Sequence, residues 1–228
     1  MTDLAGKNIL VVGATGALGS RLARRLADAG ATLVLTGTDS SRLAQLDVPG
    51  RRLVVDLTDG PDAAATLAAE SLGGLDGVVV AAGVVAFGPA GALDPATVAR
   101  LFAVNAAGPI ALIAAALPLL AESATEAREP FVVTISGVVA ESPTAGLAAY
   151  SASKAALAAF MAAASREMRR SGIRLLDARP GHIETGLATR AIAGTAPAFP
   201  TGLDPDAVAD RIVAAIEGDE KDLPSTAF

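Results

Sequence analysis

Ile9-Leu10-Val11-Val12-Gly13-Ala14-Thr15-Gly16-Ala17-Leu18-Gly19 sets four consecutive aliphatic residues ahead of three glycines spaced Gly-x-x-Gly-x-x-Gly. An unbroken aliphatic run reads as a strand buried on both faces, the pattern of a parallel sheet covered by helices on either side. Glycines directly after such a strand let the backbone turn sharply and come close to a diphosphate. The helix that follows, over about Leu18–Ala29, offers free N–H groups and the positive end of its dipole to an anion. The segment therefore predicts a strand–loop–helix cradle for a dinucleotide pyrophosphate, with Gly13, Thr15, Gly16, Leu18 and Gly19 in contact. A tight turn that happens to use glycine is the plainer alternative; the place of the motif at the first strand–helix junction favours the cradle.

Working outward, short runs rich in Val, Ile and Leu recur at Thr32–Thr36, Leu53–Val55, Gly77–Ala81, Phe131–Ile135 and Ile173–Ala178. Helical stretches alternate with them near Ser41–Leu46, Asp62–Ser71, Pro95–Asn105, Pro109–Ser123, Ala149–Ser171 and Pro205–Glu217. Strand–helix–strand repetition predicts an α/β fold: a doubly wound, Rossmann-like domain with a mostly parallel sheet of six to seven strands and right-handed crossovers. No linker divides residues 1–228, so a single domain is expected. The Gly/Pro-rich stretches Ala81–Gly91 and Gly194–Gly202 read as loops at the carboxyl edge of the sheet, where open α/β folds bind ligands.

Composition excludes several chemistries. The chain has 228 residues with no Cys and a single His, so disulfides, Cys-ligated zinc, iron–sulfur clusters, thiol nucleophiles and multi-His metal centres are ruled out. Eighteen basic against 24 acidic residues, net −6, argues against a nucleic-acid partner. Hydrophobic content of 52% and a mean hydropathy of +0.49 owe much to alanine, a helix former. The longest apolar stretch, Ala103–Ala121, is broken by Asn105, Gly108, Pro109 and Pro118, which favours a buried core helix over a membrane span. The N-terminus has no basic segment before its apolar run and does not read as a signal peptide, so a cytoplasmic location without a membrane partner is expected.

The only tyrosine lies in Ala149-Tyr150-Ser151-Ala152-Ser153-Lys154. Four residues apart on a helix, Tyr150 and Lys154 share a face. An ammonium beside a phenol favours the phenolate, and the spacing predicts a Tyr150 pKa drawn down toward working pH, fit for acid/base chemistry. Lys154 could also hold a cofactor ribose. Taken alone, the pair is equally an ordinary polar i,i+4 contact. Asp56, with Leu57 after it, closes the third aliphatic run, where its carboxylate could receive an adenine amino group or simply face water.

Together with the glycine loop, Tyr-x-x-x-Lys makes the chain resemble the short-chain dehydrogenase/reductase family over nearly its whole length. The Ala81-Ala82-Gly83 and Val104-Asn105-Ala106-Ala107-Gly108 segments resemble two further family segments, as does Arg179-Pro180-Gly181 with Thr185. The resemblance implies an NAD(P)-dependent oxidoreductase interconverting a carbonyl and an alcohol on a small-molecule substrate. Tyr150 would be the acid/base, Lys154 would tune it and hold ribose, and Asn105 would support a proton-relay water. Ala82, Gly83, Pro180, Gly181 and Thr185 would contact the cofactor. It also implies a homodimer or homotetramer, for which Ala114–Ala116 and Ala155–Ala164 provide small-residue helix faces.

The chain departs from the family at one decisive place. The usual catalytic serine, thirteen residues before the tyrosine, is Gly137. Ser136 beside it is carried as the catalytic hydroxyl, although regular strand alternation would turn it away. Ser142, Phe87 and His182 are candidates for the substrate side, under a lid over 186–203 whose Leu187, Ile192 and Phe199 predict an apolar pocket. Loss of the serine leaves a non-catalytic or weakly active NAD(P)-binding sensor or scaffold as the alternative reading. Gly37 stands where an NAD-binding acid is expected, with Thr38 and Arg42 able to meet a 2′-phosphate, so NADP(H) is favoured over NAD(H); Asp39, about 20 residues past the glycine loop, argues the other way. The family's final strand is also missing from 222–228, which predicts a short edge strand or none.

Overall fold

In a computed structural model that describes residues 1–228, β1 (Asn8–Val12) lies inside a wholly parallel sheet of six strands. The others are β2 (Thr32–Gly37), β3 (Arg51–Val54), β4 (Gly77–Val80), β5 (Phe131–Ile135) and β6 (Arg174–Ala178), in the order β3-β2-β1-β4-β5-β6. The unbroken aliphatic run has a direct cause. Side chains alternate across a strand, and here both sides are covered. Ile9 and Val11 enter a core layer with α1 (Ala17–Asp28) and α7 (Pro205–Glu217), through Leu22, Leu26, Ile212 and Ile216. Leu10 and Val12 enter a second layer with α3 (Pro61–Leu72), α5 (Gly108–Thr125) and α6 (Ala148–Met168), through Ala65, Leu112 and Leu157. The strand order turns back between β1 and β4, which opens a crevice at the carboxyl edge.

Two features differ from the sequence expectation and one agrees with it. β3 begins at Arg51 rather than Leu53, because Arg52 folds back to donate to the carbonyls of Leu43, in the last turn of α2 (Ser40–Ala44), and of Leu46 just after it. As expected over 222–228, no seventh strand forms: Leu223 makes one parallel bridge to Ala178 and accepts from the Arg179 N–H. The break expected ahead of Pro109 is absent. α4 (Pro95–Phe102) runs through a π turn over Ala103–Ala107 into α5, whose first turn holds Pro109 where no intrahelical donor is needed. The run Pro95–Thr125 is long and apolar enough to cross a membrane, yet half of its most apolar window is buried within the fold, where α5 packs on α3 and β4.

The amino edge of the sheet is tied by a buried carboxylate. Asp76 is 2% exposed and accepts from the Arg128 guanidinium, the Ser123 hydroxyl and the Asn8 N–H. These donors hold it below the usual carboxylate range even though burial pushes the other way. Asp76→Ala is expected to cost about 2–3 kcal/mol in urea unfolding, because three donors lose their acceptor at once while Arg128 keeps partial access to water. The site lies at the other edge, so cofactor affinity should stay unchanged in that variant.

Candidate active site

The carboxyl-edge crevice is a cleft of about 570 Å³. Its floor begins with Gly13 at φ +79, where a Cβ would stand 2.7 Å from the Ala82 nitrogen. The turn is open only to glycine, and it leaves a hollow of bare backbone. Gly16 precedes α1 with no side chain capping that helix and no acid in its first turn, so the first N–H groups remain free for an anion. Thr15 and Leu18 form the adjoining walls. Gly19 corrects the expectation: it is buried off the cleft, and a Cβ there would overlap the Gly13 carbonyl oxygen, so it serves the close packing of α1 on the loop.

Farther along, Asp56 and Leu57 line the cleft at the end of the segment after β3. Asp56 accepts from the Thr58 N–H and hydroxyl, which hold its carboxyl below the usual range, and stands 3.8 Å from Arg100. Gly37, Thr38 and Arg42 share this end, and Arg42 donates to the Thr15 carbonyl at 2.7 Å. Asp39 is turned away. Its carboxylate caps α2, accepting from the N–H groups of Ser41 and Arg42.

Tyr150 and Lys154 both face the cleft from α6, beside Ala82 and Gly83 after β4. The Lys154 ammonium donates to the Ile135 carbonyl at 2.7 Å, and burial lowers its pKa to about 8 against the opposing charge of Asp177. Burial raises Tyr150 to about 12, opposite to the shift expected from sequence. Desolvation outweighs the ammonium here, and that ammonium directs a proton at a backbone carbonyl. Asn105 sits fully buried in the π turn. Its amide accepts from the Val84 N–H and donates to the Val84 carbonyl and the Ser153 hydroxyl, so it clamps the loop after β4 and does not line the cleft.

The hydroxyl expected beside Tyr150 is not where the sequence placed it. Ser136 is fully buried and donates to Asp177, which also accepts from Thr134 and pairs with Arg179. Ser136 lines the cleft between Ile135 and Gly137, but its hydroxyl proton is committed to Asp177. Gly137 presents backbone only, at φ +78. Ser142 is exposed on the following loop and off the cleft, whereas Thr144, two residues on, lines it. Pro180, Gly181 and Thr185 form the far wall. Above them His182 stacks on Phe199 with ring centres 4.8 Å apart, Phe87 tilts against Phe199 at 6.0 Å, and Glu184 lies 3.6 Å from the His182 Nε2. Thr144, Val138, Val139 and Arg190 are cleft residues that the sequence alone did not single out. They sit in single 3-10 turns and a loop, too short for any periodicity to encode their direction.

A backbone hollow that any Cβ would fill, free helix N–H groups and an ammonium and phenol at the opposite end are a donor set that fits a dinucleotide. Comparison with known proteins gives the family and the fold. The profile of the short chain dehydrogenase family matches residues 7–195. Bovine dehydrogenase/reductase SDR family member 7B is 30% identical, over 94% of this chain and 72% of that protein. Two solved structures share the fold. A 3-ketoacyl-(acyl-carrier-protein) reductase from Brucella melitensis complexed with NADH has a TM-score of 0.86 at 23% identity and covers 97% of both chains. A short chain dehydrogenase from Burkholderia cenocepacia in complex with NADP has a TM-score of 0.84 at 22% identity and covers 99% of this chain and 90% of that one. By the extent of the profile match and the bovine relative, the chain belongs to the short-chain dehydrogenase/reductase family of oxidoreductases.

Proposed function

We propose that the protein is an NAD(P)-dependent oxidoreductase that reduces a carbonyl to an alcohol, with Tyr150 as proton donor. The observation that carries this reading is the sharing of one cleft by the glycine cradle, Tyr150 and Lys154. The backbone of Gly13 and Gly16 would hold the pyrophosphate, Asp56 the adenine, Lys154 the nicotinamide ribose and Thr185 the carboxamide. When bound, a nicotinamide supplies the hydride. Tyr150 gives its proton to the substrate oxygen. A phenol with a pKa near 12 is protonated at neutral pH, which suits it to the reducing direction. With Ser136 engaged by Asp177, the Thr144 hydroxyl and His182 are the side chains left to orient the carbonyl. Loss of absorbance of NADPH or NADH across a carbonyl panel, run beside Tyr150→Phe, tests the proposal.

NADP(H) is the favoured cofactor. Asp39 is spent on the α2 cap, which removes the argument for NAD, and Arg42 and Thr38 flank the place of a 2′-phosphate. Arg42→Ala should weaken NADPH by about tenfold, the size of one exposed charge-assisted contact, and leave NADH within about twofold. Equal losses for both would return the preference to NAD(H). The second reading, a non-catalytic NAD(P)-binding sensor, is favoured by the missing hydroxyl at Gly137; it requires tight cofactor binding with no turnover on any substrate. Exposed alanines on α5 and α6, such as Ala114 and Ala159, support pairing of two copies through these helices. The absence of Cys supports a cytoplasmic location.

A further inference from the structure

A second chamber of about 320 Å³ adjoins the cleft and shares two walls with it, Phe87 and Leu147. Its remaining apolar walls include Leu93, Leu101, Ala149 and Ala193. Asp94 is the one ionisable residue among its walls, and that carboxylate is engaged as the α4 cap by the Thr97 N–H and hydroxyl. The chamber is built rather than loosely packed. Phe87 donates to the Ala193 carbonyl, Ile192 to Val85 and Gly88 to Gly146, so the lid, the loop after β4 and the entry to α6 are bonded around it. Ala149, on its wall, immediately precedes Tyr150.

We propose that this chamber takes the uncharged aliphatic tail of the substrate, with Phe87 as the partition between tail and carbonyl. The inference rests on the reductase reading and names its substrate class, a ketone or aldehyde with an unbranched apolar chain. Two observations support it. Phe87 and Leu147, which line the cleft that holds Tyr150, also line the chamber. Its walls offer no free charge to a polar tail.

The test uses 2-butanone, 2-hexanone, 2-octanone and 2-decanone with NADPH, on the wild-type protein and on Ala92→Phe, which narrows the chamber mouth. In the wild type, kcat/KM should rise about fourfold per added methylene until the chamber is filled. Ala92→Phe should flatten that rise and leave 2-butanone unchanged; the same slope in both proteins overturns the proposal. A second measurement needs no turnover. The chain has no Trp, so Leu93→Trp places the sole indole, excitable apart from Tyr150, on the chamber wall. Its emission should titrate with 2-decanone at far lower concentration than with 2-butanone, without cofactor present. Emission indifferent to chain length, as when a second copy covers the chamber, overturns it. Chain-length-dependent emission without turnover of any alkanone upholds the chamber and instead defeats the reductase reading.

Discussion

Tyr150→Phe should reduce turnover by 10²–10⁴-fold, the usual contribution of a positioned general acid, and leave cofactor affinity within about twofold. The substitution removes one oxygen from a ring that packs against Ala86, Leu101 and Ala149, so the helix entry and the cleft keep their shape. No other phenol exists in the chain to replace it. His182 is another cleft side chain with an N–H to give, and its ring is stacked on Phe199 beside Glu184. A Tyr150→Phe protein that keeps full turnover and loses it only when His182→Ala is added would transfer the acid role to His182. Burial holds the Tyr150 phenol up at about 12, so an alkaline loss of activity that sets in at lower pH is expected from another group. Any fall should begin near pH 8, where the Lys154 ammonium gives up its proton. Rate profiles from pH 6 to 10 check this, and the fall should be absent from the residual rate of a Lys154 variant.

Much of this fold was legible because parallel strands write their burial directly into sequence. Ile9–Val12 is aliphatic at every position since each side chain meets a core layer, and Phe131–Ile135 follows the same rule. The edge strand was less legible. Arg51 and Arg52 open β3, and nothing local shows that Arg52 finds its acceptors in the carbonyls at and just past the end of α2. The π turn was invisible for a different reason: Gly108-Pro109 has the look of a helix break, while the one extra residue per turn leaves no periodic mark.

Site residues divide the same way. Gly13, Gly16, Tyr150 and Lys154 could be located because backbone geometry and helix spacing are local properties. The fate of Ser136 could not, since it is decided by Asp177, 41 residues away on β6. Asn105 and Asp39 are similar cases: each has a polar side chain whose partner, the Val84 backbone or the α2 N-terminus, claims it before the cleft does. The pKa of Tyr150 went the opposite way from expectation because proximity on a helix says nothing about how much water the fold removes.

Lys154→Met should make the protein more stable at pH 7 and far less active. Lys154 is 6% exposed, and its pKa falls from 10.5 to about 8 on folding, with burial the leading cause. Between those values the unfolded chain binds a proton that the folded chain does not, so stability rises with pH across the window from about 8 to 10.5. Below pH 8 the folded protein carries the full burden of a buried ammonium, about 3 kcal/mol. Methionine fills a similar space without charge and leaves the Ile135 carbonyl short of a donor, which costs about 1 kcal/mol. The net gain at pH 7 is about 1–2 kcal/mol, a rise in Tm of several degrees for a chain of this size. By pH 10 the gain should vanish or change sign, because the wild-type lysine is then neutral in the folded state. Urea unfolding at both pH values measures this directly. A variant less stable than wild type at pH 7, or one that keeps the alkaline rise, would show that the ammonium is not buried at the strength inferred. Higher stability paired with lost turnover would mark Lys154 as a residue held against the interests of the fold for the sake of the proposed chemistry.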